Sequence, residues 1–148
     1  MLNTLYRLQP GNQESMPHKV LIVEDEAFVA GHLEMLLEDM GHQPVGIAAT
    51  SEEARQLAAQ RPDIALVDCN LRDGLTGPDI GAWLTQQGVS VVFMTANPSA
   101  VKPALHPAIG VVSKPCGDDC LSAVMSYVTG RLAGQPVTPP ANLFTFAT

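Results

Sequence analysis

The chain is poor in basic residues. Its 148 residues hold 8 Lys and Arg against 15 Asp and Glu, a formal net charge of -7. Nucleic-acid-binding domains are usually basic, so that class of surface is excluded. Long apolar runs are missing too: none approaches the roughly 20 residues of a membrane span. The N-terminus lacks the charged n-region and long apolar h-region of a secretory signal. A soluble cytoplasmic protein without membrane contact is expected. Cysteine is scarce and odd in number, with Cys69, Cys116 and Cys120 alone. That does not suggest a disulfide framework and fits a reducing compartment. Cys116 and Cys120 are separated by three residues, not the two of common zinc and redox motifs, so all three are expected as buried small apolar side chains. The four histidines, His18, His32, His42 and His106, are scattered over unrelated segments and form neither a phosphodonor site nor a metal cluster.

What is present is a regular alternation. At this length and 46% hydrophobic residues, one domain can bury a core without staples. Residues 1–17, with Pro10, Gly11 and Pro17, read as a flexible extension, and residues 18–132 as the domain. Val20–Val23, Pro44–Ala49, Ile64–Val67, Val89–Met94 and Ile109–Val112 are five short apolar runs, each read as a strand. Between them lie helical patterns. The first runs from Ala27 with Phe28, Val29, Leu33, Leu36, Leu37 and Met40 recurring, and Gly41 ends it. A second is capped by Thr50 or Ser51 and closed by Pro62. A third opens at Gly77-Pro78 with Ile80, Trp83 and Leu84 on one face. A fourth, over 99–108, is interrupted by Pro103 and Pro107 and is expected to be one or two turns at most. The last runs from about Asp118 to Leu132 with Leu121, Val124, Met125, Val128 and Leu132 inward. Residues 133–148 form a Pro-containing tail whose Leu143, Phe144 and Phe146 suggest an end that packs back or meets a partner. The alternation defines an α/β domain with a parallel sheet covered on both faces, without choosing between flavodoxin-like, Rossmann and related strand orders.

Polar groups cluster at the strand ends. The first strand ends in Glu24-Asp25, the third in Asp68, the fourth in Thr95 and the fifth in Lys114-Pro115. In a doubly wound sheet these ends share one edge, near the point where strand order reverses. Any one of them alone reads as a helix or turn cap; four together read as a site. Crowded carboxylates repel unless a cation is present, and hard oxygen ligands in small number suit Mg²⁺ (or Mn²⁺). With a Lys and a Thr hydroxyl alongside, the pocket suits a phosphoryl group, and Asp68 would attack a donor phosphate to give an acyl phosphate.

The segments VLIVEDE (Val20–Glu26), LVDCNL (Leu66–Leu71), VFMTA (Val92–Ala96) and VSKP (Val112–Pro115), in this order, resemble the receiver domain of two-component response regulators. The resemblance covers roughly Lys19 to Leu132. It implies the flavodoxin-like, five-stranded order 2-1-3-4-5 and phosphoryl transfer from a histidine kinase or histidine phosphotransfer protein to Asp68. It further implies Asp25, Asp68 and the Asn70 carbonyl as metal ligands, with Glu24 acting through a metal-bound water. Thr95 would be the switch hydroxyl, aided by the Ala96 N–H, and Lys114 the cation on the phosphoryl oxygens. The bond before Pro115 is often cis in this family.

The chain also departs from the family. Val111 occupies the place of the usual aromatic switch residue, and the Thr95–Lys114 segment is shorter than the common pattern and carries Pro98, Pro103 and Pro107. Both changes fall on the surface many receivers use for dimers or partners, so the usual Thr–aromatic relay is not expected, while homodimer formation stays open. The resemblance places Asn70 and Asn97 beside the expected path of a hydrolytic water. Phe28 and Trp83 are expected in the core. The chain is expected to be a stand-alone receiver with a protein partner downstream. The alternatives are a pseudo-receiver working without phosphorylation, or an enzyme of related fold. Glu24-Asp25-Glu26 would repel phosphate where a flavodoxin binds it, and the chain lacks the Asp-x-Asp of haloacid-dehalogenase-type phosphatases after the first strand.

Overall fold

The computed structural model describes residues 17–101 and 107–146; the expected N-terminal extension lies almost wholly outside them. Runs of four or more apolar residues need cover on both faces, and they form the middle of a sheet. Its strands are β1 (Lys19–Val23), β2 (Gln43–Ala48), β3 (Ile64–Val67), β4 (Ser90–Thr95), β5 (Gly110–Ser113) and β6 (Leu143–Thr145). They lie in the order β2-β1-β3-β4-β5-β6. The first five are parallel, as in the flavodoxin-like order, and β6 is antiparallel to β5.

Alternation along each strand divides the core in two. Val20, Ile22, Ile64, Leu66, Val92 and Met94 face α1 (Ala27–Asp39) and α4 (Asp118–Leu132). Leu21, Val23, Ala65, Val67, Val91 and Phe93 face α2 (Ser51–Leu57) and α3 (Gly77–Gln86). Fully burying each such side chain is worth about 1.5–3 kcal/mol. Local signals fix the starts of α2 and α3. Thr50 caps α2 by accepting from the Glu53 N–H at 3.1 Å, and Pro78 sits in the first turn of α3.

Four expectations need correction. The sheet has a sixth strand, because the tail packs back on β5. Phe28 is 96% exposed rather than inward. At about 100° per residue it lies about 180° around α1 from the fully buried Leu37. Leu132, the last residue of α4, is also exposed. Cys116 and Cys120 are not independent apolar side chains but form a disulfide. Closing so short a loop contributes only about 2 kcal/mol on a chain-entropy reckoning, so the core, not the bridge, holds the fold. Trp83 is half-buried, with the Arg55 guanidinium 4.9 Å over its ring. Of the fourth helical segment, Pro98–Ala100 forms a single 3-10 turn, and residues 102–106 lie outside the described residues.

Candidate functional site

The C-terminal ends of β1, β3 and β5 converge. Glu24 follows Val23, Asp68 follows Val67, and Lys114 follows Ser113. The register of β1 on β3 pairs Val23 with Val67 and so sets the two carboxylates side by side. One carboxylate oxygen from each of Glu24, Asp25 and Asp68 lies within 4.8 Å of the others. The Lys114 ammonium crosses the pocket, donating to the Glu24 carboxylate and, at 2.9 Å, to Asp68 Oδ2. Its backbone N–H donates to the Thr95 carbonyl at 2.9 Å, which ties β5's end to β4.

Glu24 is 3% exposed. Burial pushes its carboxyl above the ordinary carboxylate value, against the opposing hydrogen bonds from Lys114 and the Glu26 N–H. The Glu26 contact, 3.1 Å to Glu24 Oε2, also satisfies a backbone donor at the start of α1. Burial works against the Lys114 charge, but hydrogen bonds to Glu24 and Asp68 and their negative charges outweigh it, so its pKa is raised. Three carboxylates against one ammonium leave two negative charges in the pocket. A set of hard oxygen donors with that charge fits a divalent Mg²⁺ or Mn²⁺.

Of the other expected residues, Asn70 is exposed, and its N–H lies 3.4 Å from Asp68 Oδ1. Thr95 is fully buried, and its hydroxyl accepts from the Asn97 N–H at 3.0 Å. Its other neighbour is Cys69, whose buried thiol is pushed up to about 11. Ala96 is exposed beside it. The Lys114–Pro115 bond is cis. All seven expected site residues therefore stand at the C-terminal edge of the sheet.

Two supports were not foreseen. Gly77 opens α3 directly against the Asp68 backbone, where an added Cβ would lie 2.0 Å from the Asp68 carbonyl oxygen. The sequence marks Gly77 only as a helix start; the close approach itself is a tertiary fact. Asp73 accepts from the Ser51 hydroxyl at 2.6 Å and from the Thr76 hydroxyl at 2.7 Å. These hydrogen bonds, Ser51's first, hold its carboxyl below the usual range and tie the loop after β3 to α2. The histidines are less scattered than their numbers imply: the rings of His18 and His42 lie 5.9 Å apart.

A doubly wound parallel sheet with an acidic pocket and a facing Lys at its switch edge defines a class of phosphoryl-handling α/β domains. Comparison with known proteins narrows it. The model of the response regulator receiver domain matches residues 20–126, and the chain belongs to that family. The phyllosphere-induced regulator PhyR of Methylorubrum extorquens is 36% identical over 115 residues, covering 75% of this chain and 43% of that protein. The chain thus spans less than half the length of that relative. Among solved structures, the PhyR receiver domain of Erythrobacter litoralis is 30% identical with a TM-score of 0.69, covering 84% of this chain and 97% of that one. A PhyR mutant from Bartonella quintana is 31% identical with a TM-score of 0.72, covering 82% and 52%. Members of this family are signalling proteins rather than typical enzymes. Among the described residues no helix is long and apolar enough to cross a membrane.

Proposed function

We propose that this receiver is a phosphoacceptor: Asp68 takes a phosphoryl group from a histidine kinase or histidine phosphotransfer protein and so changes the contacts the domain makes with other proteins. The observation that carries this reading is the Lys114 bridge. One ammonium joins Glu24 and Asp68, with Asp25 in the same cluster, at the sheet edge where parallel α/β domains bind ligands. In the transfer, a carboxylate oxygen of Asp68 bonds to phosphorus while the donor's nitrogen–phosphorus bond breaks, and the imidazole leaves. Asp68 Oδ2 begins in contact with Lys114, which is placed to follow the incoming phosphoryl oxygens. The Thr95 hydroxyl and Ala96 N–H supply further donors, with Thr95 exchanging its Asn97 contact for the phosphoryl group. Asp25, Asp68 and the Asn70 carbonyl would hold Mg²⁺ or Mn²⁺, with Glu24 as the outer acid. Bound there, the ion supplies neutralisation of the charge that gathers during transfer.

The reading places the protein in the cytoplasm with its donor. A Bartonella quintana PhyR is described as an anti-anti-sigma factor, and in a further structure PhyR is complexed with the anti-sigma factor NepR. That likeness, with the net charge of -7, favours an output through protein contact over DNA binding.

The test is incubation with Mg²⁺ and acetyl phosphate, followed by intact mass. One added phosphate is expected, absent in Asp68→Asn. If folded wild-type protein takes up none, the domain is a pseudo-receiver.

A further inference from the structure

The Cys116–Cys120 disulfide lies where the chain leaves the site for its last helix. Lys114 is two residues before it, separated by Pro115 alone. Gly117, the residue preceding α4, has no side chain with which to cap the helix, so the first turn begins without the usual acceptor for its N–H groups. The disulfide instead holds that turn covalently, joining the residue before the cap to the third residue of the helix. Asp118 and Asp119 lie inside the closed loop, and Asp118 reaches His32 of α1 at 3.5 Å. Both sulfurs belong to half-buried residues packed on the outer margin of the core, whereas Cys69 is fully buried. A bridge between half-buried cysteines that closes so short a loop stabilises the fold less than a long-range one does. In a reducing compartment such bridges are transient and redox-sensing.

We infer that Cys116 and Cys120 form a reversible thiol–disulfide site whose state sets how firmly Lys114 is held over Glu24 and Asp68. The step requires a dithiol reductant. Its thiolate attacks one sulfur of the bridge to give a mixed disulfide, and its second thiol then displaces the protein. Two electrons and two protons pass to the cysteines, and the reductant leaves as its own disulfide. A disulfide oxidant reverses the exchange. In the oxidised form the start of α4 is clamped, and Pro115 passes that constraint to Lys114. In the reduced form the uncapped first turn loosens and the Lys114 ammonium samples positions away from the two carboxylates. The effect on phosphorylation rests on the phosphoacceptor reading; the effect on Lys114 does not.

The experiment uses the whole chain in three forms: oxidised, reduced with dithiothreitol, and Cys116→Ser/Cys120→Ser. Native alkylation with iodoacetamide followed by intact mass should add no group to the oxidised protein and two to the reduced one, Cys69 being shielded by burial. The amide resonances of Glu24, Asp68 and Lys114 should move on reduction, and the double Ser variant should match the reduced form whatever the reductant. Phosphate uptake from acetyl phosphate should be about fivefold faster in the oxidised protein, a coupling at the modest end for linked sites. If the site resonances move but no form takes up phosphate, the redox site stands and the phosphoacceptor reading falls. If all forms take up phosphate at one rate with unmoved resonances, the redox site falls and the phosphoacceptor reading stands. Failure of the folded protein to form the bridge under oxidant also overturns the inference.

Discussion

The two flanks of the Asp68 strand are built differently. On the β1 side, a carboxylate follows directly from each strand end, and parallel register alone brings Glu24 beside Asp68. On the β5 side, Lys114 reaches the same pocket across β4, and β5 itself is covered by a strand from the far end of the chain. Residues 96–109, between β4 and β5, carry three prolines, and their described part forms only a 3-10 turn at Pro98–Ala100. The difference teaches that the acidic half of the site follows from neighbouring strands, while the basic half depends on long-range packing. Changes on the β5 side should therefore alter the site through structure, and changes on the outer surface of the β1 side should not.

The strongest blow to this contrast is Lys114→Met. It leaves Glu24 and Asp68 facing each other without their shared cation and should cost about 2–3 kcal/mol in urea unfolding. That is less than for a fully buried pair, because the Lys114 side chain is 19% exposed. The same comparison has a pH signature. Lys114 is raised above its ordinary value of 10.5, so the folded state holds its proton more tightly than the unfolded chain. Its contribution is complete below pH 10.5 and fades as pH rises through the higher folded value. The gap between wild type and Lys114→Met should be constant near neutrality and shrink above that point. A gap that widens there would refute the assigned pairing.

Next in size is Leu143→Ala on β6. Leu143 is 5% exposed and packs on the core, so about 2 kcal/mol should be lost. Deleting 134–148 should cost at least as much, and unchanged stability would mean that β6 does not cover β5. The smallest effect belongs to Phe28→Ser. Despite its size, Phe28 is almost fully exposed, and stability should change by less than about 0.5 kcal/mol. A larger loss would put Phe28 in the core after all.

The part of the molecule legible in the sequence is the part specified locally. Apolar runs of four to six residues gave β1 to β5, and the polar residues after the first, third, fourth and fifth runs gave the pocket. What was illegible is set by distance or by angle. Phe28 shares the spacing of its neighbours, yet only the position of Leu37 on the sheet decides which face turns outward. Strand β6 has three residues and no alternation to read, and its partner lies more than 30 residues away. The Cys116–Cys120 pair straddles a helix start, where a separation of four residues brings two side chains together only if the second is already helical. The contact of Gly77 with the Asp68 backbone likewise exists only once α3 is docked.

Strand β6 has one more consequence. A parallel sheet left open at β5 would offer a row of free backbone donors and acceptors to any extended chain. Here that row is consumed internally, down to Gly110, where a side chain would strike the Phe144 carbonyl at 2.3 Å. The new margin is only three residues long. The opposite margin, β2, carries Pro44, and its pairing with β1 is irregular between Val20 and Leu21. Neither border gives a foreign strand a long, flat template. The sheet is therefore closed to growth from molecule to molecule at both borders, while its strand ends stay open for the carboxylates and Lys114.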